Sequence, residues 1–335
     1  MSNTHEHRLL ILTDTDGLRQ AATVVRQGGT VAFPTETVYG LGANALDAAA
    51  VVKVFEIKRR PRFDPLIVHV HSISQARQVV CAWPEGATEL AQRFWPGPLT
   101  LVLPKANEVP DIVTSGLPTV AVRMPDHPTA LALIAEAGVP VAAPSANRFG
   151  SISPTTSEHV LSQLGDEVDL VLDGGPCRVG IESTIVSLTG QRPVLLRAGG
   201  TPLADIEDVV GPIDRPSADP NRPTAPGQYP RHYAPRTPLI LREAPPDLPP
   251  LPRAGLLTLT APQVPDHYEA VEVLSPTGDL QEAAAGLFAA LHRLDALGLD
   301  AILAVKVPEA GLGMAINDRL RRAAYQTQQN YSGRN

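Results

Sequence analysis

The sequence predicts an α/β protein in two unequal parts: a larger domain with a large mixed sheet, then a smaller domain with an open parallel sheet. Three observations predict this. Strand-like and helix-like periodicities alternate through residues 16–197. A run with 13 prolines between Gly211 and Pro252 then interrupts them, and it can hold neither long helices nor central strands. Beyond it the alternation resumes. The length of 335 residues agrees with two domains, at roughly 150 residues each. The expected division is a large domain over 1–210, a proline-rich connector over 211–238 and a small α/β domain over 239–335.

The elements follow in order. Apolar residues at helical spacing run over 16–27 and stop at Gly28-Gly29. Residues 30–33 form a short strand. Asp47 caps a helix through Val51, Val54 and Phe55 that Pro61 ends. Further strands are expected over 65–71, 99–103, 119–123, 139–143, 169–172, 183–188 and 194–197. Helices are expected over 85–94, 127–137 (closed by Gly138) and 156–164. The close spacing of the last strands implies antiparallel pairing there. In the second part, strands are expected over 239–241, 255–260, 270–274 and 301–307, with helices over 278–297 and 316–325.

The connector is not a passive one. Flexible linkers favour Gly, Ser and charge, whereas residues 226–235 carry Tyr229, Arg231, His232 and Tyr233 between prolines. Exposed aromatics have little use in solvent, so this segment is expected to dock on a folded surface.

Composition excludes several classes. Hydrophobic residues make up 43% and charged residues 19%, which is globular. A net charge of −7 argues against gripping nucleic acid by bulk charge. No apolar run reaches membrane-spanning length, and residues 1–8 are polar, unlike a signal peptide. Cys81 and Cys177 are isolated, with no disulfide framework or zinc motif. The expected compartment is the cytoplasm. A P-loop, a GxGxxG turn, a GxSxG elbow and an HExxH helix are all absent.

Four segments carry chemistry. Lys58, Arg59, Arg60 and Arg62 crowd a helix end. Meeting the helix dipole explains one or two cations, whereas four together suit a polyphosphate, with Lys58 and Arg60 as partly exposed cations lining a cleft. Ala143-Pro144-Ser145-Ala146-Asn147 follows a strand, where open α/β sheets bind ligands, and offers small or uncharged polar groups. Residues 33–42 also follow a strand and read as a binding loop, with Glu36 either part of it or in water. Glu182-Ser183-Thr184 precedes another strand and supplies a hydroxyl. Arg123 at a strand end is either a carboxylate clamp or a surface ion pair. His69 and His71 share a strand face without a third metal ligand placed by the sequence, so His69 reads as a polar contact to a small ligand.

Together these segments resemble the threonylcarbamoyl-AMP synthase family, the YrdC-like superfamily in its longer two-domain form. The resemblance rests on Pro34-Thr35-Glu36-Thr37-Val38-Tyr39-Gly40-Leu41, Lys58-x-Arg60 with Pro65-Leu66-Ile67-Val68-His69, and Trp95-Pro96-Gly97-Pro98-Leu99-Thr100. It continues through Val122-Arg123-Met124-Pro125, Ser145-x-Asn147, Glu182-Ser183-Thr184-Ile185-Val186, the connector motif ending His232-Tyr233-Ala234-Pro235, and residues 311–320. It implies a YrdC-like domain with a twisted mixed sheet, followed by a Rossmann-like one. The implied reaction joins L-threonine, bicarbonate and ATP into threonylcarbamoyl-AMP and pyrophosphate, with Mg2+ accompanying ATP. The product would feed N6-threonylcarbamoyladenosine formation in tRNA through a threonylcarbamoyl transferase complex, with weak tRNA binding possible and no membrane involved.

The resemblance also implies roles. Lys58, Arg60, Ser145 and Asn147 would form the catalytic phosphate cradle. Asp64, Thr119, Ser153, Arg197 and Tyr233 would also contact ATP. Thr37, His69, Arg123, Ala143 and Ser183 would hold threonine, with Arg123 on its carboxylate. The metal ligands are left open. Asp64 departs from the family pattern, where an amide or a base is more usual. An acid beside a triphosphate is unfavourable unless it faces a metal ion or ribose hydroxyls. Two rival readings are an RNA-binding module without catalysis and a carbamoyl-transfer enzyme. The negative charge weighs against the first, and the missing accessory segments weigh against the second. Residues 311–320 are expected to serve packing or regulation rather than to bind nucleotide.

Overall fold

The computed structural model describes residues 9–10, 15–215, 225–227, 229–245, 251–262 and 267–332. Residues 1–8, and within the expected connector residues 216–224 and 228, lie outside these.

The first part is built on one ten-stranded mixed sheet. Its strands are β1 (Leu9–Leu10), β2 (Val31–Phe33), β3 (Gly40–Asn44), β4 (Ile67–His69), β5 (Leu99–Pro104), β6 (Thr119–Arg123), β7 (Val141–Ala143), β8 (Leu170–Leu172), β9 (Thr184–Ser187) and β10 (Val194–Arg197). The spatial order is β1-β8-β2-β3-β7-β4-β6-β5-β9-β10. The flanking helices are α1 (Thr15–Arg26), α2 (Ala48–Lys58), α3 (Ile73–Gln78), α4 (Glu85–Phe94), α5 (Asp111–Thr114), α6 (Pro128–Ala137), α7 (Ser157–Leu164) and α8 (Leu203–Val210). The second part has a parallel sheet of β11 (Leu239–Arg242), β12 (Ala254–Thr258), β13 (Ala270–Val273) and β14 (Ala301–Val305), in the order β11-β14-β12-β13. Helices α9 (Leu280–Ala296) and α10 (Gly313–Ser332) complete it. The α/β class, the mixed sheet and the smaller parallel sheet are those the sequence predicts.

Local chemistry sets most element ends. The Asp47 side chain accepts from the N–H groups of Ala49 and Ala50 and starts α2. Gly138, at a φ of 68°, closes α6. Two strands are shorter than expected. β4 ends at His69 because Ser72 already caps α3, accepting from Gln75 N. β7 starts only at Val141, since Pro140 has no N–H to give the ladder.

The expected binding loop at 33–42 needs correction. Its last three residues, Gly40 to Gly42, open the strand β3, antiparallel to both β2 and β7. A Gly-Leu-Gly run does not look like a strand. Here glycine is required, because a Cβ on Gly42 would lie 2.6 Å from Val141 and 2.7 Å from the Phe33 ring.

Register places the functional residues. β4 and β6 run parallel, with Ile67 opposite Ala121 and His69 opposite Arg123. β7 runs antiparallel to β4, which sets Ala143 opposite Ile67. Thr119 thus sits at the start of β6 and Arg123 at its end, about 13 Å away at a rise of ~3.3 Å per residue.

The two parts share a hydrophobic core. Val38, Ile152 and Ile181 of the large sheet domain, and Tyr233 of the connector, pack with Leu287, Phe288, Leu291, Ile316 and Leu320 of the small one. Gly180 marks a close approach of the two parts. Its φ is +72°, and a Cβ there would meet the backbone of Ala284 and Ala285 on α9 at 2.5–2.6 Å. Gly180→Ala therefore adds backbone strain and a wedge between the parts, and should lower stability by about 1–3 kcal/mol. Thermal unfolding checks this, and an unchanged midpoint would contradict the contact.

Candidate active site

A cleft opens over the centre of the mixed sheet. Strand ends and loops supply its wall: Thr37 before β3, Ile67 and His69 on β4, Arg123 on β6, Ala143 and Ser145 at the end of β7, Ser183 before β9 and Arg197 ending β10. Arg60 lines it from the turn after α2. Pro226, Gly227, His232 and Tyr233 of the connector complete the lining. The connector is anchored there by Ala234 N, which donates to Gly150 O at 2.9 Å, and by Pro226 O, which accepts from Arg197 Nη1 at 3.2 Å.

Of the implied site residues, Thr37, Arg60, His69, Arg123, Ala143, Ser145, Ser183, Arg197 and Tyr233 all reach this cleft. Lys58, Asp64, Thr119, Asn147 and Ser153 are not on its wall. Lys58, Asp64, Asn147 and Ser153 are buried and bonded to wall residues or to their neighbours. Thr119 lies at the far end of β6, on the side where Arg60 and Asp64 sit, by the β4–β6 register.

The four-cation cluster divides in two. Arg59 takes a left-handed φ of 52° and closes α2, and it stays exposed with Arg62. Lys58 and Arg60 turn inward. Their expected partial exposure needs correction, because Lys58 is 1% exposed and Arg60 7%. The reason is a set of oxygens. Lys58 Nζ donates to the carbonyls of Ser145 and Asn147, tying α2 to the loop after β7. Arg60 donates from Nε to Asp64 O at 3.1 Å and from Nη2 to Pro65 O at 2.9 Å, and pairs with the Asp64 carboxylate at 2.7 Å. Burial pulls Lys58 well below the usual ammonium range, and the neighbouring Arg60 lowers it further. Burial also raises Asp64 and lowers Arg60, each opposed by its partner. Asp64 thus faces an arginine.

At the other end of β6, Arg123 is equally engaged. It pairs with Glu36 at 2.7 Å, donates from Nη1 to Thr37 Oγ1 at 2.9 Å and from Nε to Gly97 O at 3.2 Å. Glu36 is 0% exposed, so it belongs to the site and is not in water. His69 is buried edge-on to Phe33, with ring centroids 5.9 Å apart, and its Nδ1 has no partner among the described residues. Asn147 Oδ1 is likewise buried without a partner among them, while its Nδ2 donates to Arg148 O and Ser151 O. Ser183 Oγ sits 2.7 Å from Thr100 Oγ1 and accepts from Arg197 Nη2 at 3.1 Å.

A third carboxylate was missed by sequence reasoning. Glu182 lines the cleft, accepts from Ser153 Oγ at 2.6 Å on one oxygen and pairs with Arg319 at 2.8 Å on the other. Burial raises it, but Arg319, Arg197 and the Ser153 hydroxyl outweigh that and hold Glu182 below the usual carboxylate range. One signal for Glu36 and Glu182 was present: each is a lone acid in an uncharged run next to a buried strand, where burial demands a cation. Their partners lie far along the chain, and no spacing reveals them. Among the described residues there is no cluster of three metal-ligating side chains. The three carboxylates at or behind the cleft each face an arginine, so they do not form a ready metal site.

Burial pushes His69 down to about 3, and the nearby Arg123 adds to this. An unfolded histidine titrates near 6.5. The folded state therefore binds fewer protons between these values. The stability this gives is complete above pH ~6.5 and falls as pH drops toward 3. By linkage His69 alone should cost the fold about 2 kcal/mol at pH 5 relative to pH 7.5. Unfolding midpoints measured across that range should fall with acid, and less steeply in His69→Gln. Parallel pH profiles for the two proteins would contradict this.

Comparison with known proteins covers both parts of the chain. Residues 23–199 match the family described as telomere recombination, and residues 201–325 the one described as threonylcarbamoyl-AMP synthase, C-terminal domain. The threonylcarbamoyl-AMP synthase of Pyrococcus abyssi is 46% identical over 92% of this chain and 94% of its own. That of Bacillus subtilis is 45% identical over 93% and 94%. The crystal structure of P. abyssi Sua5 complexed with L-threonine superposes with a TM-score of 0.86 at 44% identity, covering 93% of this chain and 95% of that one.

Proposed function

The chain belongs to the threonylcarbamoyl-AMP synthase family, and from that premise we propose how its cleft performs the reaction. The activity joins L-threonine, bicarbonate and ATP into threonylcarbamoyl-AMP, with release of pyrophosphate.

The observation that carries the residue assignment is the separation of two cationic centres along β4 and β6. Arg123 and His69 sit together at one end. Arg60 and Lys58 sit on the side where those strands begin, next to the Ser145–Asn147 loop. Threonine, a short zwitterion, would place its carboxylate on Arg123 and its hydroxyl near Thr37, with His69 Nδ1, Ser183 and the Ala143 carbonyl region beside it. The triphosphate would lie over Arg60, Lys58, Ser145 and Asn147, with Arg197 and Tyr233 beside it. Asp64 and Ser153 would act from behind, through Arg60 and Glu182. The unpaired atoms of His69 and Asn147 support this, since buried polar atoms seek a partner.

In this arrangement the threonine amine, once deprotonated, forms its N–C bond to CO2 released from bicarbonate, and the second amine proton leaves with the bicarbonate oxygen as water, giving a carbamate. A carbamate oxygen then attacks the α-phosphorus, and pyrophosphate departs. Negative charge grows on the phosphate oxygens as it leaves, next to fixed cations in a site shielded from water. A polyanion also favours the charged form of Lys58, so ATP binding and protonation of this buried amine are coupled. Magnesium would enter on the triphosphate, because the nearby carboxylates already hold arginines. Tyr233 and His232 would cover the adenylate and slow its hydrolysis. The product would pass to a threonylcarbamoyl transferase that modifies adenosine in tRNA, in the cytosol. No helix among the described residues is long and apolar enough to cross a membrane.

The test is pyrophosphate release from ATP with magnesium, bicarbonate and L-threonine. Release should need threonine and bicarbonate and yield a new adenylate by mass spectrometry. Lys58→Ala should lower the rate by at least about 100-fold. Threonine-independent release, or a Lys58→Ala variant of wild-type rate, would overturn the assignment.

A further inference from the structure

Arg319 lies on α10 in the small domain and is 0% exposed, yet its contacts are with the cleft. Its Nε donates to Glu182 Oε2 at 2.8 Å. Its guanidinium carbon lies 5.1 Å from the centroid of the Tyr233 ring, within cation–π range. Glu182 and Tyr233 both line the cleft. The other face of the Tyr233 site is set by Phe288 of α9, whose ring lies 5.5 Å away at an angle of 29°.

The rest of the network holds Arg319 in place. Its Nη1 donates to Asp318 at 2.9 Å, and Asp318 also accepts from Arg322 at 3.1 Å. Arg322 Nη1 donates to Tyr229 O at 2.6 Å, so the same turn of α10 grips the connector a second time. The second oxygen of Glu182 accepts from Ser153. One guanidinium therefore fixes an acid in the wall and an aromatic ring in the roof.

Both groups need fixing. A buried carboxylate beside a triphosphate repels it unless a cation is held on its far side. Tyr233 has a φ of 62°, a left-handed conformation that is strained for a non-glycine residue. Contacts outside the connector must outweigh that strain.

We propose that Arg319 is a positioning residue for ATP, through which the small domain sets the charge of Glu182 and the pose of Tyr233 in the cleft. It touches no reacting atom. The threonine carboxylate is assigned to Arg123, whose partners are Glu36, Thr37 and Gly97 and not Glu182 or Tyr233. The proposal rests on the synthase reading above.

The experiment compares wild type, Arg319→Met, Arg319→Lys and the double variant Glu182→Gln/Arg319→Met in the same full-length chain. KM for ATP and for threonine, kcat and the unfolding midpoint are measured for each. Arg319→Met should raise KM for ATP about tenfold with KM for threonine within twofold of wild type. Arg319→Lys should recover part of the loss, keeping the charge without the planar fork. The double variant should regain the unfolding midpoint, since no carboxylate is stranded, and still bind ATP weakly through the unanchored Tyr233.

A purely structural role predicts a lower midpoint with both KM values unchanged in the folded fraction, and that result overturns the proposal. If Arg319→Met does not fold, wild-type KM for ATP in both Arg319→Lys and the double variant overturns it as well. Calorimetric titration with ATP alone is run alongside. A wild type that binds ATP without threonine-dependent turnover would count against the synthase reading only. Equal ATP affinity in wild type and Arg319→Lys and the double variant would count against the positioning role.

Discussion

Three buried carboxylates each face an arginine around one cleft: Glu36 with Arg123, Asp64 with Arg60, and Glu182 with Arg319. Isolated charges at these depths would cost several kcal/mol each, so neither member of a pair can be moved or removed alone. This constraint explains more of the site than any single catalytic group does. The acids hold three long, flexible cations in fixed directions in advance, and fixed charge is what a reaction that builds up negative charge requires. Two of the pairs join distant stretches of chain, while Arg60 and Asp64 lie four residues apart. Glu36 and Arg123 tie the loop before β3 to β6, whereas Glu182 and Arg319 tie the large sheet domain to α10.

The same pairing explains how a protein of net charge −7 handles a polyanion. Bulk charge is irrelevant when the local balance in a cleft is set by a few buried groups. Lys58 adds one cation not matched by a carboxylate of its own, since its Nζ rests on two carbonyls. Those carbonyls belong to Ser145 and Asn147, so the amine also shapes the loop proposed to face the phosphates. In the proposed arrangement threonine and ATP share one sheet as a scaffold, set apart by the length of β6.

What was legible in the sequence follows from how local each signal is. Caps and breakers at Asp47, Gly138 and Pro61 act within a few residues, and the helix ends they mark are close to those observed. The strand β3 was read as loop because Gly40 and Gly42 lack strand propensity, and only the packed Phe33 ring and Val141 account for them. The short runs carrying Thr37, Arg60, His69, Arg123, Ser145, Ser183 and Arg197 do converge on one cleft. The depth of Lys58 was not legible, because its carbonyl partners come from the loop after β7, and that of Arg60 was not, because a pair four residues apart reads the same on a surface as in a buried turn. Glu182 and Arg319 are 137 positions apart, and their meeting depends wholly on how the small domain docks.

The central claim is that the cleft holds threonine and ATP at opposite ends of β4 and β6, each on its own arginine. A crystal structure of the full chain with L-threonine, magnesium and a non-hydrolysable ATP analogue tests it most directly. The account predicts the threonine carboxylate on the Arg123 guanidinium, and the triphosphate over Arg60 and the Ser145–Asn147 loop beneath Tyr233. A triphosphate seated on Arg123, or threonine bound next to Arg60, would contradict it.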